Sequence, residues 1–82
     1  MVVVAFDASF EKVIRKLKDN TLKGKVKKQI MKLMEFPEIG KPMRYARKGT
    51  REVYVSPYRL SYSYIENEDK AIFLDLYYKD QQ

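Results

Sequence analysis

Five side chains on strand-like stretches combine charge, aromatic rings and even spacing: Glu52 and Tyr54 in REVYVS, Arg59 in SPYRLSYSYIE, and Tyr77 and Lys79 in AIFLDLYYK. Alternate residues of a strand share a face. If Val53 and Val55, then Leu60, Tyr62 and Tyr64, then Ile72, Leu74 and Leu76 face a core, those five point the other way with Ser61, Ser63 and Asp75. Cations interleaved with rings suit a nucleic-acid surface, because cations hold phosphates while rings stack bases. Arg44, Arg47, Lys48 and Arg51, just upstream, add charge beside that face. A half-exposed sheet whose outer residues are merely polar is the plainer alternative.

Composition limits the chemistry these residues can do. Histidine and cysteine are both absent, which removes the usual acid–base group near neutral pH and the commonest metal ligands. Proton transfer must then fall to lysine, tyrosine, arginine or carboxylates. The formal charge of +6 is unevenly distributed, with nine basic and two acidic residues in 11–32, six and one in 41–59, and two and five in 60–82. Two positive blocks of this kind favour a polyanionic partner. The opening MVVVAF lacks a basic lead and is interrupted at Asp7, too short for a signal peptide or membrane span; a cytoplasmic protein without membrane contact is expected. At 82 residues the chain makes one domain, 1–82, in which nearly every periodic apolar residue is needed for the core.

The elements that must carry the polar face follow from periodicity. VVVAF, residues 2–6, suits a strand buried on both faces. Asp7 or Ser9 can cap a helix whose stripe is Phe10, Val13, Ile14 and Leu17. Thr21 can cap a second, striped by Leu22, Val26, Ile30, Leu33 and Met34 and ended by FPEIGKP, with Met31 and Met34 as core filler. MRYARKG reads as edge strand or loop, and beyond it the period becomes two, with NEDK a polar turn of hairpin length. The expected fold is α+β, in the order β-α-α-β-β-β, with a helical hairpin over one face of an antiparallel sheet and the other face open.

In this order and at these lengths the chain resembles the RelE/ParE superfamily of toxins from type II toxin–antitoxin operons. PYRLSY is similar to the family's tyrosine–arginine–aliphatic opening of its third strand, and EFPEIGKPMRYARKGTREVYV to its passage from second helix into the preceding strand; the likeness spans about residues 2–79. In the RelE branch it implies a ribosome-dependent endoribonuclease that cuts mRNA and inhibits translation by attack of a ribose 2'-hydroxyl on the adjacent phosphodiester, without metal or cofactor. Arg59 then matches the arginine that stabilises the transition-state phosphate, and Lys79 falls near the basic residue at the end of the last strand, as acid or second phosphate clamp. Glu52 and Tyr54 stand where that branch has lysines; the glutamate is placed to act as general base, Tyr54 to orient it or stack. Tyr77 or Tyr78 is a candidate substitute for a tyrosine the branch carries beyond its last strand. Arg44, Arg47, Lys48 and Arg51 are candidate RNA contacts. The missing lysines leave open a ParE-like toxin that poisons DNA gyrase without nuclease activity, and a degenerate RNA-binding module. The family also implies a cognate, RelB-like antitoxin, besides ribosome and mRNA, as partner.

Overall fold

The computed structural model describes residues 2–78, Ala46 by its backbone alone. A strand, β1 (Val3–Phe6), leads into helices α1 (Ala8–Lys16) and α2 (Asn20–Glu35); then follow a two-residue strand β2 (Lys41–Pro42), and strands β3 (Arg51–Val55), β4 (Tyr58–Ile65) and β5 (Lys70–Tyr78). They form one five-stranded sheet in the order β1-β5-β4-β3-β2. From β5 to β2 every pair is antiparallel, and β1 pairs with β5 in parallel, the helices carrying the chain from β1 to β2 at the opposite edge.

Local chemistry explains the helix starts. Asp7 caps α1, its carboxylate accepting from the Ser9 amide. The cap of α2 is Asp19, which accepts from the Leu22 amide at 3.1 Å, so Thr21 lies inside the helix and not at its mouth. A carboxylate on the residue with extended backbone reaches the donor three positions on, and Asp19 has that backbone.

α1 packs on β5 and α2 on β3, closing a core of Phe10, Leu22, Val26, Leu33, Val55, Leu60, Tyr62, Ala71, Phe73 and Leu76. The alternation expected of β3 and β4 is observed: Val55, Leu60 and Tyr62 are buried beneath the helices, with Val53 and Tyr64 packed at the core's margin. In β5 the register shifts, Ser61 facing Asp75 while Tyr62 faces Phe73, so Leu74 is an extra residue. A bulge reverses parity beyond it. Phe73 and Ala71, not Leu74 and Ile72, therefore join Leu76 in the core. Two other expectations change. β1 is an edge strand with Val3 and Phe6 exposed, and Met31 is exposed on α2, because neither has a layer above it.

The β4–β5 connection closes with Asp69 in the left-handed region, φ 49°. Tyr64 donates its phenol proton to Asp69 Oδ1 at 2.8 Å. That bond, helped by burial and the carboxylate's charge, pushes the phenol from its ordinary 10.0 up to about 12. A raised folded-state pKa means the bond supports the fold fully below pH 10 and is lost as pH climbs from 10 through about 12. Thermal melts of wild type and Tyr64→Phe should accordingly differ at neutral pH and converge across that alkaline window.

Candidate functional site

The sheet face away from the helices gathers most of the polar residues read from the sequence. Direct cross-strand pairing sets Tyr54, Arg59 and Tyr77 in one row over β3, β4 and β5. The adjoining row is Lys41, Glu52, Ser61 and Asp75, from β2 to β5. Two of these four, Glu52 and Ser61, are buried although polar. A buried carboxylate persists only when charge and hydrogen bonds compensate its lost hydration.

Glu52 obtains that compensation from two guanidinium groups. Arg59 Nη1 lies 3.3 Å from Oε1 and Arg47 Nη1 lies 3.2 Å from Oε2. Arg47 Nη1 also donates to the Tyr77 hydroxyl at 2.7 Å, and its guanidinium carbon stands 4.7 Å from the Tyr77 ring centroid. One carboxylate, two permanent cations and a phenol are thus joined. Beside them a shallow groove of about 400 Å³ is lined by Lys41, Glu52, Tyr54 and Arg59.

Arg47 reaches this cluster from the 3-10 turn Tyr45–Arg47 in the loop between β2 and β3. The loop is cross-braced: the Met43 amide donates to the Thr50 carbonyl at 3.0 Å, and the Thr50 hydroxyl to the Arg47 carbonyl at 2.7 Å. Gly49, at φ 95°, supplies a left-handed step that side chains rarely adopt.

The other sequence candidates separate. Arg44 and Lys48 are exposed on the same loop. Arg51 turns away and donates to the carbonyls of Glu38 and Gly40, at 2.8 and 3.0 Å, tying down the segment that precedes β2. Lys79 lies outside the described residues. Lys41 belongs to the site and was not singled out by periodicity, since a two-residue strand has no period; its pairing with Glu52 is what places it.

Chemically the arrangement can bind a phosphodiester through Arg59 and Lys41, accept a proton at Glu52 and donate one from Tyr77. Among the described residues no helix is long and apolar enough to cross a membrane.

Comparison with known proteins gives the fold's relatives. The chain shares its fold with the toxin chain of the E. coli RelBE toxin–antitoxin complex, at 22% identity over 95% of this chain and 96% of that one, TM-score 0.80. Isolated E. coli RelE toxin matches at 21% identity, over 100% and 88%, TM-score 0.81. The Mycobacterium tuberculosis RelBE2 toxin–antitoxin complex matches at 24% identity, over 95% and 98%, TM-score 0.82. No curated protein matches by sequence. A sequence model for the ParE toxin of the type II toxin–antitoxin system parDE matches residues 4–82, and with it the chain belongs to the RelE/ParE superfamily of type II toxins.

Proposed function

We propose that this toxin is a metal-independent endoribonuclease that cleaves mRNA on the translating ribosome. The observation that carries this reading is Glu52, buried yet lining the groove and held between Arg47 and Arg59 beside Tyr77. An RNA phosphate entering the groove competes for the Arg59 guanidinium and draws it from Glu52 Oε1. The freed carboxylate oxygen takes the proton of the 2'-hydroxyl as that oxygen attacks phosphorus. The P–O5' bond breaks, Tyr77 protonates the departing 5'-oxygen, and the products are a 2',3'-cyclic phosphate and a 5'-hydroxyl. Arg59 and Lys41 stabilise the charge that builds on the phosphoryl oxygens. Arg47, which donates to Tyr77, sets the phenol's orientation so that its own proton remains to be given.

Primer extension on message in a translating extract tests this. Cuts confined to ribosome-bound message support it. The rival reading, a poison of DNA gyrase, is favoured by the match to the ParE family model and by a glutamate and a tyrosine at the strand positions where the RelE branch carries lysines. Intact message with inhibited supercoiling would establish that reading instead.

As its partner we infer a cognate antitoxin. An apolar hollow of about 430 Å³ lies between the helices and β1, lined by Phe6, Ile14, Ile30 and Met31, with Lys23 and Lys27 also at its wall. An amphipathic helix with acidic flanks fits it: apolar side chains cover Phe6 and Met31 while carboxylates meet the lysines. Met31, 58% exposed, is replaceable at little cost to the fold. Met31→Glu should weaken antitoxin binding by roughly ten- to a hundredfold, the range of one disrupted apolar anchor, and leave cleavage by the free toxin unchanged, as calorimetric titration and primer extension would show.

A further inference from the structure

Tyr45 is 90% exposed, the most exposed large hydrophobic residue in the structure, and it sits in the left-handed region at φ 58°. The positive φ costs stability, because the Cβ crowds the backbone there, and the exposed ring contributes no burial to offset it. Among the described residues neither its ring nor its hydroxyl has a partner. The strain is held in place by the surrounding turn, in which the Lys48 amide donates to the Tyr45 carbonyl at 3.0 Å and the Arg47 amide to the Arg44 carbonyl at 3.2 Å. Arg47, two positions on, is itself fixed to Glu52 and Tyr77. The ring is therefore displayed at a set position relative to the catalytic cluster.

Its surroundings are cationic. A hollow of about 640 Å³ beside it is lined by Lys41, Pro42, Met43, Arg44 and Tyr45. Lys41 also lines the groove of Glu52 and Arg59, so the two hollows adjoin through one lysine. Lys41, Arg44 and Lys48 form no ion pair among the described residues.

We propose that Tyr45 is a stacking platform for one unpaired nucleobase of a single-stranded RNA whose scissile phosphate lies at Arg59, with Lys41 and Arg44 holding the phosphates between. The inference rests on the ribonuclease reading of the Arg59 groove and extends the RNA site beyond it. Every base has a π-face, so the platform is sequence-tolerant and gives the site length without codon preference.

The chain contains no tryptophan, and Tyr45→Trp introduces a single one at the platform, excited selectively beyond the tyrosine band. Titration with a short 2'-O-methyl oligoribonucleotide, which lacks the attacking hydroxyl and cannot be cut, should quench it; inorganic polyphosphate, which has no bases, should bind without quenching. Tyr45→Ala should bind the oligonucleotide about tenfold more weakly, the loss of one stacked base, while Tyr45→Phe keeps the wild-type affinity. Tyr45→Gly should weaken binding equally yet melt no lower than wild type, because glycine relieves the positive φ. Equal quenching by polyphosphate, or unchanged affinity in Tyr45→Ala, would overturn the platform alone. Weakened antitoxin binding in Tyr45→Ala with unchanged oligonucleotide affinity would overturn it in favour of a protein contact. Failure of the wild type to bind the oligonucleotide at all would overturn the platform, whereas cuts in ribosome-bound message by primer extension would still uphold the ribonuclease reading.

Discussion

Arg59→Ala should lower message cleavage by about a hundred- to a thousandfold, the usual cost of removing one preorganised donor from a transition-state anion. The side chain stands in the row between Tyr54 and Tyr77 and binds Glu52 Oε1 at 3.3 Å. Its loss removes a cation from the phosphate and one of the two guanidinium partners of Glu52. The fold should survive, because Arg47 still pairs the buried carboxylate at 3.2 Å. With the Arg59 side chain one-third exposed, the stability cost is about 1 kcal/mol. Arg59→Lys should recover part of the rate, since it restores charge but not the planar fork. Single-turnover cleavage of ribosome-bound message, read beside a thermal melt, separates the two effects. A rate within a few-fold of wild type in Arg59→Ala, with the fold intact, would remove Arg59 from the chemistry.

The largest loss of stability is expected from a single methyl group. Gly40 is buried where the chain turns from the end of α2 towards β2, and its amide donates to the Tyr62 hydroxyl at 2.9 Å. A Cβ there would overlap the Tyr62 hydroxyl and stand 2.7 and 2.8 Å from two ring carbons. Tyr62 cannot retreat: it is fully buried, its ring centroid lies 5.9 Å from that of Phe73, and its hydroxyl donates to the Pro37 carbonyl at 2.8 Å. Gly40→Ala must therefore displace a core tyrosine or the segment before β2, breaking one buried and one partly buried hydrogen bond on the way. Overpacking and lost bonds together come to about 3 kcal/mol, or roughly 12–24 °C in Tm for a domain this small. Tyr62→Phe should cost less, about 1–2 kcal/mol, because it only leaves the Gly40 amide and the Pro37 carbonyl without their partner. The double variant should recover only part of the loss, since the ring carbons still collide with the new methyl. Melting of Gly40→Ala within a few degrees of wild type would show that the Gly40 segment yields freely.

How much of this was readable beforehand depends on the range over which each feature is decided. The strand–helix–helix–strand order and the helix stripes follow from local periodicity, and the structure has them. Thr21 was passed over for Asp19 because the choice of cap turns on a backbone angle two residues earlier, which composition does not specify. Met31, beside the α2 stripe, has the sequence setting of core filler, yet a residue is buried only where another layer covers it, and Met31 is exposed.

The sequence by itself determined which way Glu52, Tyr54, Arg59 and Tyr77 point relative to their strand neighbours, since side-chain direction within a strand is a property of the backbone's period of two. In β3 and β4 that rule also held for the core, and the short connection between them pairs Val55 with Tyr58. In β5 it was broken by the extra residue at Leu74, a defect defined only against the partner strand. Tertiary structure alone decided that Lys41 lies opposite Glu52, and that Arg47, five positions from Glu52 and thirty from Tyr77, ties both into one cluster. Those contacts belong to an irregular loop, where no period relates neighbours. Which carboxylate a loop cation meets depends on where the paired strands place that carboxylate.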